Sequence, residues 1–190
     1  MKIALIAEDE RDCVVYRELV TKIRAGIEIA PPIPCQGLGN LKKFFVGYLK
    51  YFEYSVQGIQ KAIVIRDSDC EDGARCEKEL EQILRKSHFN ASFPVHFHAT
   101  KCEVETWLLA DEAAVNSVAQ MRGKTGRSKR VNIQFESYRN AKELFSKMLS
   151  EAKLPDDPTV YQLVANAADI GRIAARCPDF KRFSSKIHAC

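Results

Sequence analysis

Apolar residues along this chain change period repeatedly, from unbroken runs to helical spacing and back. Residues 2–8 are an apolar run closed by Glu8, which reads as a buried strand. Over residues 10–25, Val14, Val15, Leu19, Val20 and Ile23 recur at helical spacing. Residues 27–30 read as a short strand stopped by Pro31, Pro32 and Pro34. Gly37-Leu38-Gly39-Asn40 is a turn, with Asn40 placed to cap a helix over residues 41–57. A third strand covers residues 61–66, centred on Ile63-Val64-Ile65, and ends at Asp67-Ser68-Asp69. Residues 74–87 set Leu80, Ile83 and Leu84 among charges, an amphipathic helix with a solvated face. Phe93, Val95 and Phe97 alternate as a fourth strand, and a helix follows over residues 105–120, anchored to the sheet by Trp107, Leu108 and Leu109. Residues 140–152 and 159–176 read as helices, the second ended by Cys177-Pro178, and residues 179–188 add a last short one.

Strands that alternate with helices imply parallel pairing, because parallel strands need crossover connections. The expectation is an α/β fold, a mostly parallel four-stranded sheet flanked by helices over residues 1–120. A basic loop at 121–139 and a helical extension at 140–190, packed on the same domain, complete it. Sites in such sheets lie beyond the carboxyl ends of the strands. Three acidic groups fall there: Glu8, then Asp67 with Asp69, then Glu103 with Glu105.

Composition narrows the class. The chain has 190 residues, 46% hydrophobic and 28% charged, ordinary values for a globular domain with a real core. No apolar run reaches membrane-spanning length. Residues 1–7 have the outline of a signal peptide, but they carry one basic residue and a short apolar core, and acids follow at once; a first strand is the better reading. Seven cysteines at no Cys-x-x-Cys spacing indicate neither a zinc ribbon nor a redox motif, and reduced thiols in a cytoplasm are expected. Net charge of +4 permits nucleic-acid contact without demanding it.

The acids have the residue types to bind one or two divalent cations through oxygen, with Mg²⁺ or Mn²⁺ the expected ion. Taken singly, each is as well explained as a helix cap or a solvated loop acid; three strand ends on one sheet edge favour a site. Arg122, Lys124, Arg127, Lys129 and Arg130, among Gly, Ser and Thr, form a flexible loop suited to phosphates, or a solvated surface loop. Gly123-Lys124-Thr125 lacks the upstream glycine and strand of a phosphate-binding P-loop, so nucleotide binding is rejected. His96 and His98 alternate on the fourth strand, where a structural role outweighs a metal one. Cys70 and Cys102 lie near the acids and read as bystanders, since an acidic setting disfavours a thiolate.

Ile6-Ala7-Glu8-Asp9-Glu10-Arg11-Asp12 resembles the first motif of the TOPRIM domain, and Asp67-Ser68-Asp69 resembles its Asp-x-Asp motif. Glu103-Val104-Glu105-Thr106-Trp107-Leu108-Leu109 resembles the Glu-x-aromatic-Leu-Leu segment of TOPRIM nucleases of the overcoming-lysogenisation-defect type. Most of the chain resembles small bacterial TOPRIM-like proteins, the Gly37–Asn40 turn and Cys177-Pro178-Asp179-Phe180 included. The resemblance implies a TOPRIM, Rossmann-like sheet and a Mg²⁺- or Mn²⁺-dependent nuclease acting on DNA or RNA. It also implies a phage-defence or mobile-element setting and a separate ATPase subunit as partner. Glu8 would shuttle a proton; Asp67, Asp69 and Glu105 would hold metal, with Asp12 the second acid of the first motif. Asp9 stands where many relatives have Gly, crowding the site or adding an acid to it. Both Glu103 and Glu105 face inward if the fourth strand continues, and only one does if a helix starts at Val104. No tyrosine is placed to suggest topoisomerase chemistry. The competing reading is a catalytically inactive TOPRIM-like partner-binding or sensor subunit. A receiver-like domain fits less well, for want of a lysine matching its conserved one.

Overall fold

The computed structural model describes residues 1–189. It is an α/β fold around one parallel sheet. The elements run β1 (Lys2–Ala7), α1 (Glu10–Ile23), β2 (Glu28–Ile29), β3 (Ile33–Pro34), α2 (Leu38–Ser55), β4 (Ile59–Asp67), α3 (Gly73–Lys86) and β5 (Val95–Thr100). Then come α4 (Glu105–Leu109), α5 (Glu112–Met121), a 3-10 turn (Phe135–Ser137), α6 (Ala141–Glu151), α7 (Pro158–Ala167), α8 (Ile170–Arg176) and α9 (Pro178–His188). The sheet order is β2-β1-β4-β5, and β3 also pairs with β1; every pairing is parallel.

Strand alternation divides the core in two. Ile3, Leu5, Ala7, Ile63 and Ile65 point to one face, covered by α1 and by α4 to α9. Ala4, Ile6, Ala62 and Val64 point to the other, covered by α2 and α3 through Leu41, Phe45, Leu49, Phe52 and Leu80. Phe145, Leu149, Val160, Tyr161, Phe180 and Phe183 from the C-terminal helices lie in the same core as the first face.

Several expected boundaries move. Ile33–Pro34, expected to lie beyond the strand that the prolines stop, pairs with Ile6 and Ala7 as β3; proline is tolerated there because the strand lies at an edge. The helix expected over 105–120 breaks between α4 and α5, where buried Asp111 accepts from the Asp169 N–H at 2.8 Å and pairs with Arg172. The helix expected over 159–176 likewise breaks, because the Asp169 side chain caps α8 by accepting from the N–H groups of Gly171 and Arg172. α2 begins at Leu38 rather than after Asn40, whose amide instead donates back to the Gln36 carbonyl at 3.2 Å.

β5 lies at the edge of the sheet, and side chains cover its free backbone groups. Ala99 N–H donates to Glu77, the Ala99 carbonyl accepts from Arg182 and the Phe97 carbonyl from Lys186. Lys101 N–H donates to Asp179 at 2.9 Å. An exposed edge would template pairing with another chain, and charged side chains from α3 and α9 prevent it. His98 is buried beneath this cover, between Asp179 (3.4 Å) and Glu77 (3.7 Å), with its ring 5.0 Å from that of Phe183. Burial holds its pKa down against the opposing pull of Asp179.

Candidate active site

The C-terminal ends of β1 and β4 lie side by side, Ile6 paired with Val64, and the register between β4 and β5 sets Asp67 opposite Thr100. The loops after all three strands therefore leave from one edge. Glu8 follows β1 and accepts from the Asp67 N–H at 3.0 Å, which ties the first strand end to the second. Asp9 caps α1. Its side chain accepts from the Asp12 N–H at 3.0 Å while Asp12 accepts from the Asp9 N–H at 3.2 Å, a reciprocal capping box. Asp9 thus does structural work at the start of α1, and Asp12 is drawn inward and buried.

Asp67 sits at the middle of these acids. Its Oδ1 is buried and has no hydrogen-bond partner. Burial pushes its carboxyl well above the ordinary range, and the charges of Asp12, Glu105, Glu8 and Glu103 push it further. Asp12 is raised well above its usual value by burial and then by Asp9, Glu105 and Glu8. Burial also raises Glu105, and it raises Glu8 against the opposing Asp67 N–H and Arg66.

The two glutamates after β5 separate. Val104 precedes the first turn of α4, so Glu105 turns inward, buried, and accepts from the Tyr161 hydroxyl at 3.2 Å. Glu103 accepts from the Lys142 N–H at 2.9 Å, serving the N-terminus of α6, whose own preceding residue, Asn140, makes no side-chain cap. Asp69 is exposed in the loop after β4, with φ of 50° and its N–H donating to the Cys102 carbonyl at 3.1 Å. Among the described residues, no group of three or more His, Cys, Asp or Glu side chains is placed to hold a metal ion. The donors nonetheless suit a hard divalent cation: they are carboxylate oxygens, mutually destabilised, with one buried oxygen unpartnered.

Sequence reasoning missed two tyrosines. Tyr16 is buried, its hydroxyl 2.7 Å from the Thr100 hydroxyl, and Tyr161 is buried against Glu105. Burial and then the nearby acids push both hydroxyls up, and each makes a hydrogen bond, Tyr16 with Thr100 and Tyr161 with Glu105. Tyr16 occupies a helical core position in α1, and nothing in its spacing separates it from an ordinary core aromatic.

The cysteines beside the acids are not the reduced thiols expected from the sequence. Cys70 and Cys102 form a disulfide across 32 residues of sequence, because the register of β4 and β5 brings their following loops together. Cys13, Cys35, Cys76 and Cys177 are free and buried, and Cys190 lies outside the described residues.

The basic tract is held down where a flexible loop was expected. A Cβ on Gly126 would stand 2.4 Å from the Glu151 carbonyl oxygen, so only glycine lets the loop lie against the C-terminal end of α6. Ser128 is clasped by Asn116, donating its N–H at 2.9 Å and accepting from the Asn116 amide at 3.2 Å. Arg122, Lys124, Arg127, Lys129 and Arg130 all point to solvent. Glu103 meets the opposite end of α6, which puts Gly126 about 14 Å further along that helix. The structure therefore brings Glu8, Asp12, Asp67 and Glu105 together, sets Glu103 and Asp69 at the margin, and keeps the Gly126 stretch of the basic tract apart.

Among the described residues, no helix is long and apolar enough to cross a membrane. No protein-family model matches the sequence, and no curated protein does. Among solved structures the chain is similar to the C-terminal region of the Burkholderia pseudomallei OLD protein, at 14% identity over 98% of each chain with a TM-score of 0.47.

Proposed function

We propose that this chain is a metal-dependent nuclease of the TOPRIM type, hydrolysing nucleic-acid phosphodiesters. The observation that supports it is the gathering of Glu8, Asp12 and Glu105 around Asp67, whose buried Oδ1 has no partner. Such a group of acids is costly to fold and gains its purpose when a cation neutralises it. Asp67, Asp12 and Glu105 would hold Mg²⁺ or Mn²⁺. When bound, that ion polarises a phosphate and neutralises the charge that builds on its oxygens.

The side chains would divide the remaining work. Glu8 is held at one oxygen by the Asp67 N–H, which leaves its other oxygen to take a proton from the attacking water. Its raised pKa brings it nearer the range where a carboxylate both accepts and returns a proton. The water oxygen bonds to phosphorus as the bond to the ester oxygen breaks; the proton passes to Glu8, and the departing oxygen draws one from solvent. Tyr161 orients Glu105, and Tyr16 with Thr100 closes the floor beside Asp67. The exposed cations at 122–130 would grip phosphates distant from the bond being cut.

The test is cleavage of single-stranded and duplex DNA and RNA by the purified full chain with Mg²⁺ or Mn²⁺. Asp67→Ala and Glu105→Gln are expected to slow cleavage by about 100-fold or more. Glu103→Gln, which keeps an oxygen for the end of α6, is expected to stay within about threefold. Intact substrates under every condition, together with no metal binding by calorimetry, would reject the reading in favour of a catalytically inactive partner-binding subunit.

A further inference from the structure

α2 buries one face properly and leaves an unusual one outside. Leu41, Phe45, Leu49 and Phe52 enter the core at helical spacing. Phe44 and Tyr51, two turns apart on the flank of the helix, and Tyr54, opposite the buried face, are 42%, 51% and 78% exposed. Among the described residues these are three of four exposed large hydrophobic side chains, the fourth being Met121. Three exposed rings on one helix form a surface suited to contact with a partner.

Charge identifies what kind. Lys43 and Lys50 stand two turns apart along one edge of this surface, and among the described residues neither pairs with a carboxylate. The Lys43 ammonium lies 4.9 Å from the centre of the Phe44 ring. The helix has a single acid, Glu53, which accepts from the Ser92 N–H at 2.9 Å. The Lys50 ammonium lies 5.8 Å from the centre of the Phe89 ring. A partner that offers flat π faces and repeated negative charge fits this surface. Two copies of α2 packed face to face would bring like-charged lysines together. A duplex keeps its bases stacked inside, whereas a single strand exposes both bases and phosphates.

Position links this face to the acids. The Gly37 N–H, at the start of α2, donates to the Glu8 carbonyl at 2.8 Å. Phe44 lies seven residues further, about 10 Å along the axis, and Tyr54 about 15 Å beyond that. We propose that the outer face of α2 is a docking track for single-stranded nucleic acid leading away from the candidate active site: bases stack on Phe44, Tyr51 and Tyr54 while Lys43 and Lys50 meet phosphates. In taking nucleic acid as the occupant, the proposal rests on the nuclease reading.

The experiment is fluorescence anisotropy on the full chain in EDTA, with a labelled 20-nucleotide single strand and its duplex. The single strand is expected to bind at least about tenfold more tightly, and Tyr51→Ala with Tyr54→Ala to weaken it by about tenfold or more. Lys43→Gln and Lys50→Gln are each expected to reduce the slope of log affinity against log salt by about 0.7. These side chains are exposed, and circular dichroism checks that the variants keep the fold. Unchanged binding by the tyrosine variants, or equal binding of duplex, overturns the track. So does a dimer, seen by sedimentation, that the same variants dissolve. Cleavage with Mg²⁺ of a minimal phosphodiester too short to reach α2 separates the two proposals. Cleavage with unchanged strand binding sinks the track alone. Strand binding lost in the variants with no cleavage of any substrate leaves the track standing and sinks the nuclease reading.

Discussion

Asp67 is the residue on which the candidate site turns, and its titration can be followed. In the unfolded chain its carboxyl loses a proton near pH ~3.9, whereas in the fold burial and neighbouring acids raise it well above that. Between those values folding takes up a proton, so this group's contribution to stability falls as pH rises through the folded value. Metal-free Asp67→Asn has no such group. It is expected to gain stability over the wild type as pH increases from about 4 to 8, measured by urea denaturation in EDTA. Mn²⁺ binding to the wild type should release protons, seen as a calorimetric heat that depends on buffer ionisation, and the variant should release fewer. Glu105 and Glu103 show what residue-level reading could and could not supply. Both follow a strand, and their spacing allowed either to face inward; the first turn of α4 and the end of α6 separate them.

At the scale of elements, local period marked β1 and β4, because a buried parallel strand needs a continuous apolar run. It failed at helix breaks. Nothing in the apolar spacing of residues 105–120 or 159–176 reports that Asp111 and Asp169 meet at the breaks and precede the new helices α5 and α8. It also missed the contact that holds the basic tract on α6. That contact carries its own prediction: Gly126→Ala would drive a methyl group to 2.4 Å from a backbone oxygen. The cost is expected to be about 1–3 kcal/mol, read from the shift in a chemical denaturation midpoint at unchanged m-value. The loop around residues 124–128 should then lose its protection from hydrogen exchange, while the sheet keeps its own.

For the whole molecule, one side of the sheet depends on residues far from it in sequence. Ile63, Ile65 and Trp107 share a core with Phe145, Val160, Phe180 and Phe183, and α9 also covers the β5 edge. A chain ended after residue 139 is therefore expected to lose cooperative thermal unfolding and the dispersion of its amide NMR spectrum, because apolar sheet surface would be left bare. Survival of a sharp transition in that fragment would mean that the first 139 residues form a core of their own.

Much of the fold and the outline of the candidate site can be read from order along the chain. Apolar runs, helical spacing and the placement of Glu8, Asp67 and Asp69 after strands are local properties, and the parallel connection rule carries them to one sheet edge. What the residues do there belongs to register and packing. The pairing of Asp67 with Thr100 brings Cys70 to Cys102, and α1 and α7 deliver Tyr16 and Tyr161. The choice of Glu105 over Glu103 for the interior rests on α4 and α6 in the same way. These contacts join segments tens of residues apart, and pattern along a chain holds no measure of the distance between segments that fold together.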